Sequence, residues 1–337
     1  MRKAVASMLV LAFAMAIPGS TSPAMAKAGN MIRIATLAPR DSELTRGLAK
    51  IDRGLKKATN GGWGIQLYPA GIAGDEKDVI RKMRVGQMDA SAVTDTGLSQ
   101  IVRETTVLST PGVINNYQEL ERVQSAMKQE WIDNFNKNGF KLIAWGEIGQ
   151  YRYFSKIPLH GPADIKKTRP WLWPESYVMK EIYSAVGANG VPLGVPEVYG
   201  ALQTGMVDFI MSTAIATVAL QWHPKLSHVT SQTFGVLLGA MIMNNDKWNS
   251  IPEDVRNAFN EEIKKNYEGD SKNVRKDDDN AYKKLLSHGY TADTFTPQGQ
   301  KEYQAMTKTV RDHLVGRVYP KPLLDRVMKI AHGDGGA

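Results

Sequence analysis

The sequence predicts a two-lobed α/β protein, on three observations. Between Trp171 and Met211, short apolar stretches alternate with stretches of helical spacing. A helix, a Gly-x-x-Asp turn and a strand recur in both halves, as Gly86-Gln-Met-Asp89 before Ala90–Val93 and as Gly205-Met-Val-Asp208 before Phe209–Met211. The 337 residues suffice for two domains. Alternating strands and helices favour a mostly parallel sheet. Ligands in such sheets sit beyond the strand C-termini, near helix N-termini. Coincidence of common turn chemistry is the competing account of the repeat, since glycine stops helices and aspartate binds turn backbone in many folds.

Met1–Ala26 reads as a secretory signal peptide: Arg2 and Lys3, an apolar run over Ala4–Ile17, then Ala24-Met-Ala26 as a small-x-small cleavage signal. The run is too short for a membrane span. The expected mature chain starts at Lys27 and is periplasmic, and its net charge falls from +8 to +6, with 40 basic against 34 acidic residues. Cysteine is absent, which excludes disulfides, thiolate catalysis, iron–sulfur ligation and lipid attachment through a thiol. The basic excess is spread out in isolated pairs such as Lys56-Lys57 and Lys264-Lys265, without the cluster that a nucleic-acid partner needs.

In chain order, Met31–Thr36 is an apolar first strand. Asp41 or Ser42 caps a helix over Leu44–Thr59, whose Leu44, Leu48, Ile51 and Leu55 recur at spacings of three and four. Gly64–Pro69 alternates as a strand, and Asp75 caps a helix over Glu76–Val85. Thr94-Asp-Thr-Gly97 is expected as a polar loop at a strand's C-terminal end, where ligands bind, with Leu98–Val102 helical after it. Tyr117–Asn138 is one amphipathic helix and Phe140–Trp145 a strand, after which Glu147–Phe154 crosses into the second lobe. A short helix follows over Ala163–Lys167. Then come strand Trp171–Trp173, helix Val178–Val186 with Ser176 as cap and Gly187 as stop, strand Val191–Leu193, helix Glu197–Thr204 after Pro196, and strand Phe209–Met211. Thr213–Trp222 is helical. Phe234–Met243, a buried strand, returns the chain to the first lobe. From Ile251 to Ser287 the apolar spacing predicts one long helix spanning both lobes. Gly269 and Asp277-Asp-Asp279 are its weak points. Tyr303–Lys329 adds helices, and Gly333–Ala337 is a tail expected to fray. The expected division is 27–150 plus about 237–275 for lobe I and 151–236 plus about 276–330 for lobe II.

Catalytic signatures are absent: no Gly-x-Ser-x-Gly, P-loop, His-Glu-x-x-His or Gly-x-Gly-x-x-Gly occurs. His223 and His228 are five apart with Pro224 between them, so they share no helix face, and no metal or other cofactor is expected. Asp277-Asp-Asp279, flanked by Lys276 and Lys283-Lys284, reads as a solvated helix face.

The runs Gly187-Ala-Asn-Gly-Val-Pro192 and Glu197-Val-Tyr-Gly-Ala-Leu-Gln-Thr-Gly-Met-Val-Asp208 are long and specific. They resemble the second-domain core of the TRAP-transporter solute-binding proteins (tripartite ATP-independent periplasmic, dicarboxylate-binding type), and the resemblance extends from Ile32 to about Leu324. It implies the two-lobed periplasmic binding protein fold and a non-enzyme. Such a protein closes on a small organic ligand and hands it to TRAP-type permease subunits. Some relatives also work with a helical-repeat periplasmic protein and carry hydrophobic ligands.

The typical relative holds a substrate carboxylate with an arginine in a Lys-x-Arg-Val-Pro run, whose planar fork pairs both oxygens. Aligned on Pro174, that position here is Leu172, and the nearest arginine is Arg169. Arg169 is either shifted into the site or a surface residue. Arg152 matches a second family arginine and is either a ligand contact or an inter-lobe structural residue. Where relatives commonly carry Gln-Glu-Asn, this chain has Ile210-Met-Ser212. Alternation is taken to put Leu172 on the cleft face and Trp171 and Trp173 opposite, leaving the tryptophans as either core or ligand platforms. The expected ligand-binding set is Arg152, Leu172, Trp173, Met211, Ser212, Phe234, Thr94 and Arg169, with Met206, Met241 and Met243 as further apolar lining. The expected ligand is a hydrophobic or amphipathic organic acid, or a neutral apolar molecule. The alternatives are an ordinary C4-dicarboxylate or other organic-acid binder, and, from another class, an enzyme or protein-partner module on the same scaffold.

Overall fold

The computed structural model describes residues 30–267 and 271–333. The expected signal peptide with its cleavage point, Gly269, and all of the expected tail except Gly333 lie outside the described residues.

The first half builds β1 (Asn30–Thr36), α1 (Glu43–Ala58), β2 (Trp63–Tyr68), α2 (Glu76–Arg84), β3 (Ala90–Thr94) and α3 (Asp95–Ser99). A 3-10 segment (Arg103–Ser109), α4 (Tyr117–Ala126), α5 (Lys128–Lys137) and β4 (Phe140–Gln150) follow. Ser42 caps α1 by accepting from Thr45 N at 3.3 Å, and Asp75 caps α2. The stretch expected as one helix over Tyr117–Asn138 is two, because Met127 leaves helical geometry (φ −112°, ψ 11°). Leu120 and Val123 pack from one piece, Trp131 and Phe135 from the other.

The second half holds β5 (Arg152–Ser155), a 3-10 segment (Pro162–Lys167), β6 (Trp171–Leu172), α6 (Tyr177–Val186), β7 (Val191–Pro192), α7 (Val195–Thr204), β8 (Phe209–Ser212), α8 (Ala214–Ala219) and β9 (His228–Thr230). Then come β10 (Val236–Asn244), α9 (Asn245–Ser250), α10 (Glu253–Asn266), α11 (Ser271–Ser287), β11 (Thr291–Asp293), α12 (Pro297–Leu314) and α13 (Lys321–His332).

One five-stranded sheet runs β2-β1-β3-β10-β4 and one four-stranded sheet runs β11-β9-β5-β8. Both are mixed rather than mostly parallel. β1 is parallel to β2 and β3, but β10 is antiparallel to β3 and β4, and β5 is antiparallel to β8 and β9. The reason is the route between halves: the chain leaves on β4 and returns on β10, and two adjacent strands carrying traffic in opposite senses must pair antiparallel. β4 therefore runs on to Gln150, past the end expected from its apolar residues. At the crossing Tyr151 N donates to Gly235 O at 3.0 Å and Phe234 N to Tyr151 O at 2.9 Å. Gly149 has φ +141°, which only glycine adopts cheaply, and a Cβ there would meet the Asp278 carboxyl at 2.6 Å.

The repeated Gly-x-x-Asp turn has one structural meaning in both halves. Asp89 N donates to Arg33 O, and the Asp89 carboxylate accepts from Arg33 N, Nε and Nη2. Asp208 N donates to Arg169 O, and its carboxylate accepts from Arg169 N, Nε and Nη2. Each aspartate clamps an arginine at or beside the next strand, so the repeat is a shared device rather than coincidence.

The long helix expected over Ile251–Ser287 is α10 and α11, separated at Tyr267 (φ −130°, ψ −56°). α10 packs on α1, and α11 packs on α8 and β4, so the pair together touches both halves. α12 packs on α6. α13 packs on α4, with Arg122 Nε donating to Ala331 O at 3.1 Å.

Candidate functional site

A cavity of about 250 Å³ lies between the two sheets. Three tryptophans form one wall. Trp171 and Trp173 stack with centroids 5.8 Å apart, and Trp222 meets Trp171 edge-on at 5.2 Å. The Trp171 indole nitrogen is anchored on Leu193 O at 2.8 Å, which fixes the ring's plane. Met179 of α6, Met211 and Ser212 of β8, and Ala216 and Ala219 of α8 extend this wall. The facing wall comes from the first half and the crossing strands, through Leu37, Leu44, Val93, Ile148 and Leu237.

The charged groups in this lining are all acidic. Among its described residues, Glu43, Glu76 and Glu147 are the acidic ones, and no arginine, lysine or histidine is present. Two of the three are neutralised from behind. Glu147 takes both Arg275 Nε (2.7 Å) and Nη2 (2.6 Å), and Glu43 pairs with Arg46. Glu76 has no cation. It stands at the first turn of α2, 3% exposed, and its oxygens meet Thr94 N at 2.7 Å and Thr94 Oγ1 at 3.0 Å.

Burial pushes the Glu76 carboxyl up to about 8, and the negative Asp75 and Asp95 add to the rise against the Thr94 hydrogen bonds. The unfolded chain ionises this group near its ordinary 4.5, so between these two values the folded state holds the extra proton. Stability is then fullest at or below the lower value and falls as pH rises towards 8. Glu76→Gln should flatten the decline of melting temperature over about pH 5 to 8 and raise it by several degrees at the upper end. An unaltered slope would show that Glu76 ionises normally. Asp75, Asp95 and Asp278 are also raised by burial, so some slope persists in the variant.

The expected site residues divide. Thr94, Trp173, Met211 and Ser212 line the cavity. Thr94 belongs to no loop: it caps α3, accepting from Thr96 N at 3.2 Å, and its strand end thereby presents Glu76. Leu172 is off the wall. Alternation holds, but with the opposite phase: Trp171 and Trp173 face the cavity, and Leu172 packs against Gly190, whose missing Cβ would sit 2.6 Å from the Leu172 Cβ. Phe234 is also elsewhere, stacked on Tyr153 at 4.2 Å beside Phe295 and Tyr303. Arg169 is a half-exposed partner of Asp208 and the counterpart of Arg33, outside the cavity.

Arg152 is buried and also outside the cavity. Its Nη1 donates to Thr230 O at 2.9 Å and Ser231 O at 2.6 Å, and its guanidinium lies 3.9 Å from the centre of the Tyr282 ring. These contacts join β5 to the segment after β9, within one half of the chain. Of the further methionines, Met241 and Met243 lie fully buried in the core under the first sheet, and Met206 is exposed. Sequence reasoning missed Glu76, Tyr151, Met179 and Trp222. No motif marks them, because each reaches the cavity from a different element. Among the described residues no cluster of three metal-ligating side chains occurs, and His228 pairs with Asp293 at 3.1 Å.

Residues 34–316 match the family described as bacterial extracellular solute-binding protein, family 7 (DctP). The chain is 22% identical over 311 residues to the C4-dicarboxylate-binding periplasmic protein DctP of Rhodobacter capsulatus, covering 91% of each. Its fold is similar to that of a TRAP periplasmic solute-binding protein from Shewanella oneidensis with bound succinate (TM-score 0.83, 17% identity, 90% of this chain and 100% of that one). It is also similar to DctP7, a Bordetella pertussis extracytoplasmic solute receptor binding pyroglutamic acid (TM-score 0.81, 19% identity, 90% and 99%).

Proposed function

Because the chain belongs to the bacterial extracellular solute-binding proteins of family 7, we propose that it captures an apolar or amphipathic organic molecule in the periplasm and delivers it to a TRAP-type membrane permease. The observation that supports this ligand class is the lining: three tryptophans, two methionines and no cation among the described residues, with the one unpaired carboxyl held uncharged near neutral pH. A carboxylate buried without a partner loses several kcal/mol of hydration. An apolar body gains roughly 25 cal/mol for each Å² taken from water. Leu172, where the family arginine is lost, lies off the wall and lends no support to a helical-repeat partner, so the proposal stops at the permease.

A second reading, an organic-acid binder, is favoured by the relatives: the similar solved structures hold succinate and pyroglutamic acid. Thermal shifts with 1-octanol, octanoate and succinate separate the two. The apolar reading expects the melting temperature to rise most with octanol, less with octanoate and not with succinate, because ligand bound only to the folded state stabilises it. A rise with succinate and none with octanol overturns it, as does a dicarboxylate in the mass spectrum of ligand extracted from the purified protein.

We assign the lobes, over the described residues, as 30–150 with about 237–267 and 271–275, and 151–236 with about 276–314. The packing of α10 on α1 and of α12 on α6 supports this, and the packing of α13 on α4 joins α13 to the first lobe.

A further inference from the structure

We propose that Asp75 is a latch across the cavity mouth, one carboxylate capping two helices of opposite lobes and so holding the lobes closed. The inference rests on the reading that the lobes part and close.

A helix leaves its first amides without intrahelical acceptors, and a side-chain oxygen at the N-cap ordinarily satisfies one of them. α2 has its own cap: Asp75 Oδ1 accepts from Glu76 N at 2.6 Å. α7 has no N-cap side chain: its N-cap is Gly194, whose own amide donates to Glu197 Oε2 at 2.8 Å, and its second residue, Pro196, has no amide hydrogen. The amide left over is Val195 N, and it donates to Asp75 Oδ2 at 2.9 Å, from the other side of the mouth. The negative group thus sits at the positive ends of two helix dipoles at once. The seam is built for this approach. A Cβ on Gly194 would lie 2.6 Å from Asp75 Oδ2, so a side chain there would push the carboxylate away from Val195 N. Beside it Lys77 pairs with Glu175 at 3.1 Å, and Gly71 abuts Pro196 so closely that a Cβ there would be 2.9 Å from its Cγ. Opening the lobes must break the Asp75–Val195 bond and leave Val195 N without its acceptor, since Glu197 Oε2 takes the amide of Gly194 instead.

The test measures separation directly. The chain has no cysteine, so Val85→Cys and Met206→Cys, both at exposed positions beyond the C-terminal ends of α2 and α7, accept one spin label each. Pulsed dipolar distances are then compared in this labelled protein as purified, with Asp75→Ala, and with Gly194→Ala. Gly194→Ala blocks the approach while leaving the cap of α2 intact, and its φ of −69° suits alanine, so it carries the test if Asp75→Ala folds poorly. The expected result is a predominant short distance in the unlatched protein's parent and at least a threefold loss of that population in each variant. The double variant should lose no more than either alone, because both remove one interaction. An unchanged distribution in Gly194→Ala, or a parent without the short distance, overturns the latch. Neither outcome depends on which ligand class the cavity takes.

Discussion

Replacing Arg152 by alanine lowers the melting temperature of the ligand-free protein by about five degrees. Arg152 is 7% exposed and its guanidinium holds the carbonyls of Thr230 and Ser231, at the segment that leads from β9 back towards the crossing. Alanine leaves those buried acceptors without their charged donor and removes the plane stacked on Tyr282. Each lost hydrogen bond to a charged group costs about 1.5–3 kcal/mol. The relief of burying the cation, which burial already disfavours, offsets part of this. A net loss of about 3 kcal/mol corresponds to roughly five degrees in a protein of this size. Arg152→Lys, which keeps the charge but not the fork, should fall between. Scanning calorimetry without added ligand checks it. A ligand-free melting temperature unchanged in Arg152→Ala, with binding abolished, would return Arg152 to the ligand.

Trp173→Ala should take 1-octanol binding from measurable to undetectable by titration calorimetry, while Leu172→Ala leaves it within about twofold. The Trp173 ring faces the cavity and is held by its stack on Trp171. Losing about 100 Å² of apolar contact at about 25 cal/mol per Å² weakens binding by about 2.5 kcal/mol, close to a hundredfold. Leu172 faces Gly190 instead, so its truncation touches packing and not ligand. Equal losses at both positions would put Leu172 back on the wall.

These contrasts mark how far the sequence reached. Local signals determined the elements. Ser42, Asp75 and Ser176 stand at N-caps as their chemistry requires, and Gly187 and Gly205 stop helices with φ of 69° and 72°. Both Gly-x-x-Asp turns were visible, because a glycine stop and an aspartate in the next turn are contiguous in the chain. The family was legible for the same reason: its runs over 187–208 are unbroken. Thr94 could be pointed to from its position at a strand end, and Met211 and Ser212 from the family run they replace; all three line the cavity.

What the tertiary structure decided is everything set by a partner distant in sequence. The partner of Arg169 is Asp208, and those of Arg152 are the carbonyls of 230 and 231, so neither arginine could be assigned from its own surroundings. A period of two puts Trp171 and Trp173 on one face but does not say which face meets the cavity. That phase is fixed by Gly190, where the missing side chain makes room for Leu172. The antiparallel β4–β10 pair follows from the chain's return after 86 residues at the other lobe, counted from Gln150 to Val236, which no local pattern encodes. Glu76 is an ordinary first-turn glutamate in sequence. Only the burial of its carboxyl against Thr94, without a cation, makes it an uncharged group in a cavity.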